Sequence, residues 1–182
     1  MPSEAFSAEL AIHRLSSAAL SPAVTAAVLA LCDGAYGEPM ASYLASVGPG
    51  EHLLGWHDGA LVTHLMWVTR WLQPGEEPLL RTAYVELVAT APAARRRGYA
   101  TLLLEYLPSQ LGDFDLAALS PATETLYARL GWRFWRGPLG VRTDQGLVST
   151  PEEQVMILPL PRTSRLNLDL PLSVDWRPGE VW

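Results

Sequence analysis
The stretch from Tyr84 to Glu105, YVELVATAPAARRRGYATLLLE, limits what this chain can fold into more than any other. It opens on a short apolar run, Tyr84 to Ala89, rich in β-branched and aromatic residues and bounded by Pro92, which is how a buried strand reads. It closes on Tyr99 to Leu107, an apolar-rich segment at helical spacing. A turn between strand and helix aims its backbone amides outward, where unpaired N–H groups and the positive end of the helix dipole together attract an anion. Gly98 and Ala100 let a ligand come close to that backbone, and Arg95, Arg96 and Arg97 favour a pyrophosphate or a 3′-phosphate. Glu86 is the one acid inside the apolar strand, a position where a carboxylate is costly unless it is used or paired.

A length of 182 residues fits one domain, 1–182, with a core large enough to need no staples. No apolar run approaches the roughly 20 residues of a membrane helix, so no membrane partner is expected. The opening Met1-Pro2-Ser3-Glu4 lacks a basic region followed by an apolar core, so a cytoplasmic protein without a secretory signal is the expectation. Cys32 is the single cysteine, which excludes an internal disulfide, and its alanine-rich helical surroundings fit a small core residue rather than a nucleophile. A net charge of −6 argues against general nucleic-acid binding and suits a cationic substrate. All 13 basic residues are arginine, which removes lysine from the possible catalysts.

In chain order, Leu10 to Leu15 alternates as a first strand, and Ser21-Pro22 reads as an N-cap with proline at the first position of a helix, Ala23 to Cys32. A break at Asp33 to Pro39 precedes a short helix, Met40 to Val47. His52 to Trp56 and Ala60 to Trp71 form a hairpin closed at Asp58-Gly59. Its histidines, His52, His57 and His64, lack zinc-ligand spacing and fit surface or cross-strand positions, so no metal is expected. With a free pKa near neutrality, His64 is also a candidate proton carrier beside the acceptor. Beyond the central helix come a strand, Phe114 to Leu119, a helix, Ala122 to Leu130, stopped by Gly131, and extended segments at Trp132 to Trp135 and Val155 to Leu160. The tail from Leu172 to Trp182 has no clear period, and no repeat or linker divides the chain.

Arg95-x-x-Gly98-x-Ala100 after a strand resembles the acetyl-CoA-binding motif of the GNAT N-acetyltransferases, and the element order β-α-α-β-β-β-α-β-α-β-β is similar to that fold, an α/β (α+β) architecture with a mixed central sheet flanked by helices. Leu116 to Ser120, Leu126 to Trp132, Trp135 to Pro138, Thr150 to Glu153 and the closing Asp175 to Trp182 resemble the aminoglycoside 2′-N-acetyltransferases within that superfamily. The resemblance implies acetyl-CoA as cosubstrate, a cationic amino sugar as acceptor, direct transfer without an acyl-enzyme, and a homodimer.

It also implies roles for particular residues. Glu86 stands as general base or amine-positioning group, and Tyr127, whose phenol has a pKa near ~10, as the acid that protonates the leaving thiolate. Val88 and Thr90 offer backbone to the pantetheine arm, while Arg95, Arg96, Arg97, Gly98, Tyr99, Ala100 and Thr101 surround the phosphates. Asp33, Glu38, Ser120, Glu152, Glu153, Glu180 and Trp182 join Glu86 at the acceptor. In the loop after the first helix this chain has only Asp33 and Glu38 where the family carries more acids, which points to a less cationic aminoglycoside such as kasugamycin. Two alternatives stand beside this: a GNAT enzyme acting on a peptide N-terminus or small metabolite amine, and a catalytically silent CoA-binding module.

Overall fold
The computed structural model describes residues 10–163 and 165–182; residues 1–9, where the absence of a secretory signal was read, lie outside them. Capping chemistry starts the chain as the sequence suggests. Strand β1 (Ala11–Ser16) leads into helix α1 (Pro22–Tyr36), whose N-cap Ser21 accepts a hydrogen bond from the Val24 amide, and Gly37 at φ 78° ends it. A second helix, α2 (Ala41–Val47), follows after the loop.

The sheet is built on the hairpin of β2 (Glu51–His57) and β3 (Ala60–Pro74), turned by Asp58 and Gly59 at φ 49° and 75°. Strand β4 (Leu80–Thr90) runs antiparallel to β3, and helix α3 (Tyr99–Tyr106) leads to β5 (Leu116–Leu119), parallel to β4. Helix α4 (Glu124–Arg129), β6 (Arg133–Phe134), β7 (Leu139–Thr143), β8 (Gly146–Ser149), β9 (Met156–Pro159) and β10 (Leu172–Asp175) complete the described chain. The ten-stranded sheet runs β6-β9-β5-β4-β3-β10-β7-β8, with β2 on the first half of β3 and β1 beyond it. It is mixed, since β4–β5 and β10–β7 are parallel.

Three strands depart from the sequence expectation. The segment from Leu139 to Ser149 is a hairpin, and the tail contains β10, wedged between β3 and β7. β8 is exposed along its whole length and so shows no alternation, while β10 is four residues between Pro171 and Pro178, too short for a period to register. Helix α4 is also shorter than Ala122 to Leu130.

Both faces of the sheet are buried. Met66, Val68, Tyr84 and Leu87 enter one core with α1, and Leu65, Trp67, Val85 and Val88 meet the other with α3. Burial on both sides explains why β3 and β4 read as nearly continuous apolar runs. The parallel pairing of β4 with β5 reaches only Tyr84↔Ala118. Beyond it β4 continues to Thr90 without a strand partner on that side among the described residues, which leaves backbone groups facing a groove.

Candidate active site
That groove opens into a cleft of about 1210 Å³, lined by β4 from Val85 to Thr90, the turn before α3, the end of α1, α4 and the chain's tail. Arg95, Arg96 and Ala100 of that turn line it, with Arg96 at φ 63° in the left-handed conformation. Glu38, Glu153, Glu180 and Trp182 line it too, and none of the three acids has an ion-pair partner among the described residues.

Glu86 lines the same cleft, buried at 6% exposure. Arg177 Nη2 donates to its Oε1 at 2.7 Å and the Tyr43 hydroxyl donates to its Oε2 at 2.8 Å. Burial pushes the Glu86 pKa above the usual carboxylate range, and the guanidinium and both hydrogen bonds pull against that shift. With two of about four lone-pair sites used, the carboxylate retains capacity to accept a proton. Arg177 also donates from Nε to the Glu180 carbonyl, so one side chain ties the base strand to the tail. Its ring-facing neighbour is Tyr84, which lies between Arg177 and Arg70 with guanidinium carbons 5.8 and 5.7 Å from the ring centroid. Arg70 is held by Asp175 in the last strand. Arg70 Nη1 and Arg177 Nη1 are buried without a hydrogen-bond partner among the described residues, and stacking on Tyr84 offsets part of that cost.

Tyr127 is 7% exposed on α4, lines the cleft, and meets Trp132 edge-on at 6.0 Å; burial pushes its phenol to about 12. Ser120 also lines the cleft and bonds the Tyr84 hydroxyl at 3.0 Å. The Tyr36 hydroxyl donates to the Val88 carbonyl at 3.2 Å, on the free edge of β4.

The cleft therefore gathers Glu86, Tyr127, Val88, Thr90, Arg95, Arg96, Ala100, Glu38, Ser120, Glu153, Glu180 and Trp182. Other candidates stand elsewhere. Asp33 accepts from the Met40 amide at 2.7 Å and caps the loop into α2. Arg95, although on the cleft wall, donates from Nη2 to the Ala35 carbonyl at 2.8 Å, bracing α1 across the groove. Arg97, Gly98, Thr101 and Glu152 are outside the cleft wall. Gly98 serves the turn through its φ of 81°, and Tyr99 is buried beside the His57 ring at 5.5 Å.

The histidine expectation is corrected in part. His52 and His64 do face each other across strands, but both are buried rather than on the surface. Burial lowers His64 to about 3, and its Nδ1–H is committed to the Leu87 carbonyl, so the ring stays neutral near neutral pH and has no proton to pass to the acceptor. Cys32 is fully buried, with its thiol raised to about 12, which leaves it unreactive. Arg177 and Tyr43 escaped sequence reading. The signal for Arg177 was present, since a carboxylate inside an apolar strand needs a cation, and this is the one arginine in the tail beyond Leu172.

A curled mixed sheet whose parallel strands part over an arginine-bearing turn is the architecture of acyltransferases that take their donor from CoA. The profile of the GNAT acetyltransferase domain matches residues 19–135, and the chain belongs to that family as an acetyl-CoA-dependent N-acetyltransferase. It is 37% identical over 141 residues to the aminoglycoside 2′-N-acetyltransferase of Mycolicibacterium fortuitum, covering 73% of this chain and 71% of that one. Among solved structures, Eis1 from Mycobacterium abscessus is similar with a TM-score of 0.57 at 21% identity over 68% of this chain, which spans 31% of that longer protein. An acyl-CoA N-acyltransferase from Pseudomonas aeruginosa gives 0.56 at 19% identity, covering 82% of this chain and 99% of that one. These two likenesses bear on the fold.

Proposed function
We propose that this enzyme acetylates an aminoglycoside, at its 2′-amino group, by direct transfer from acetyl-CoA. The observation that carries this is one cleft lined together by Arg95 and Arg96, by Glu86, and by three carboxylates without an ion-pair partner among the described residues. The pantetheine arm lies along the free edge of β4 at Val88 and Thr90, and the phosphates sit on the amides and guanidiniums of Arg95 to Thr101. The amine nitrogen attacks the thioester carbonyl, the N–C bond forms and the C–S bond breaks. Glu86 takes the amine proton, directly or through water, and the Tyr127 hydroxyl protonates the departing sulfur.

The acids Glu38, Glu153 and Glu180, with Trp182, receive the sugar's other cations. With Asp33 engaged by Met40 and Glu86 facing Arg177, few unpaired carboxylates remain for a polycation, which supports an acceptor with few amines such as kasugamycin. The enzyme is taken as cytoplasmic and homodimeric, with edge strand β8 and its exposed Leu147 and Val148 as the face a second copy covers.

A thiol-release assay with acetyl-CoA across an aminoglycoside panel, followed by locating the acetylated nitrogen, tests the proposal. Turnover of kasugamycin above tobramycin is the expected result. Fast turnover of tobramycin with none of kasugamycin refutes the preference, and no turnover of any member refutes the substrate class.

A further inference from the structure
Strand β4 changes phase at Leu87. This residue sits at φ 50°, a conformation strained for a side chain of its kind, and β3 offers only Leu65 opposite Leu87 and Val88. In consequence Tyr84 and then Leu87 and Ala89 face one core, while Val85 and then Val88 face the other. Without the extra residue every side chain beyond Glu86 would swap faces, and the free edge that borders the cleft would present different groups.

A chain of hydrogen bonds through the sheet ends on this bulge, and its polarity follows from the acceptor. The Leu87 carbonyl can only accept, so His64 Nδ1, 3.0 Å away, carries a proton and donates. His64 Nε2 is then a lone pair, and His52 Nδ1, at 2.9 Å, must be its donor. That leaves His52 Nε2 as an acceptor for the Ser17 hydroxyl at 2.9 Å, and the Gly50 amide in turn donates to Ser17 Oγ at 2.9 Å. With both rings neutral, the bonds from His52 to His64 and from His64 to Leu87 each have one possible donor, while the Ser17 hydroxyl proton has a second acceptor in the Gly50 carbonyl at 3.1 Å. The surroundings agree: the rings are 1% and 0% exposed, the Cys32 thiol lies 3.9 Å from His64, and the nearby Glu51 is paired with Arg14.

We infer that His64 and His52 are positioning residues for cosubstrate binding, their relay from Ser17 to the Leu87 carbonyl fixing the bulge that presents the free edge of β4 to the acetyl-CoA arm. The inference rests on the cleft being the acetyl-CoA site. Replacing His64 by leucine keeps apolar bulk and removes the donor, whereas His64→Asn returns an N–H near the position of Nδ1. Titrating CoA into the full-length variants by calorimetry is expected to show about tenfold weaker binding for His64→Leu, the worth of one buried hydrogen bond, with most of it regained by His64→Asn. The KM for acetyl-CoA should rise in parallel while the KM for the amine stays.

Unchanged CoA binding in a folded His64→Leu protein, or no recovery with His64→Asn, overturns the relay. Wild-type protein that binds no CoA overturns the cleft assignment itself, and the relay with it. Should the leucine variant not fold, nitrogen NMR of the wild-type histidines decides. Nδ1–H tautomers on both rings are expected, and an Nε2–H tautomer on His64 contradicts the inference.

Discussion

The two ends of the cleft are made in different ways. The arginine end is local: one continuous stretch from Glu86 to Ala100 supplies the free strand edge, the turn and the helix start. The carboxylate-bearing wall is assembled from remote pieces, with Glu38 following α1, Glu153 preceding β9, and Glu180 and Trp182 in the tail beyond β10. A phosphate site of backbone amides tolerates sequence change as long as the turn forms, but the acceptor wall exists only when the tail is docked. Arg177 joins the two, since it bonds both Glu86 and the Glu180 carbonyl.

The harshest way to break that division is at its midpoint. Glu86→Gln is expected to lower kcat/KM by about 10²–10⁴ if the carboxylate is the base, while the Kd for CoA holds. Steady-state kinetics with a separate CoA titration checks both halves. Equal loss of CoA binding would mean that Glu86 organises the donor end too.

Cutting the joint is expected to cost stability before chemistry. Arg177→Met leaves Glu86 buried without its cation, a loss of about 3–5 kcal/mol by the behaviour of broken buried pairs. Chemical denaturation measures it, and the double variant Glu86→Gln/Arg177→Met should recover much of the loss, because no orphan charge remains. Deleting Gly179–Trp182 is a blunter version. It removes amino-sugar binding, but it also takes a buried tryptophan out of the core, so its melting temperature should fall as well.

Acid provides a gentler probe. His64 has a pKa of about 3 in the fold against a free value of 6.5, so the unfolded chain binds a proton that the folded one refuses. Its contribution is complete above 6.5 and is lost as the pH falls from there toward 3. Glu86 runs the other way: its raised pKa lets the folded chain take up a proton first, so acidification through that range relieves the cost of its burial. Urea midpoints between about pH 7 and pH 5 should therefore decline in the wild type and decline less in His64→Asn. The acid limb of kcat/KM should lie above the ordinary glutamate value, because burial raises Glu86.

The same contrast between local and remote governs how much was legible beforehand. Tyr84 to Glu105 announced strand, turn and helix because each signal lies beside the next, and the structure places all three there. The partners of Glu86 are harder to read: a buried carboxylate calls for a cation, but Tyr43 and Arg177 stand 43 and 91 residues away and local pattern does not pair them with it. The bulge at Leu87 was hidden for a related reason. A strand buried on both faces has no alternation to be interrupted, so the change of phase leaves no trace in an apolar run. For His52 and His64 the cross-strand placement was legible but their burial was not, because a closed hydrogen-bond chain makes burial tolerable and the sequence does not display it.

The most direct measurement is a crossed calorimetric titration of CoA and of the amino sugar against two mild variants. Arg96→Gly removes one guanidinium at a φ of 63° that glycine adopts without strain, and Glu153→Gln/Glu180→Gln neutralises two unpaired acids without disturbing the core. A donor end and an acceptor wall of separate construction require that the first weaken CoA alone and the second weaken the amino sugar alone, each by about 1 kcal/mol per charge. If both variants weaken the same ligand, or the paired glutamine variant binds the amino sugar as the wild type does, the two-ended cleft is wrong.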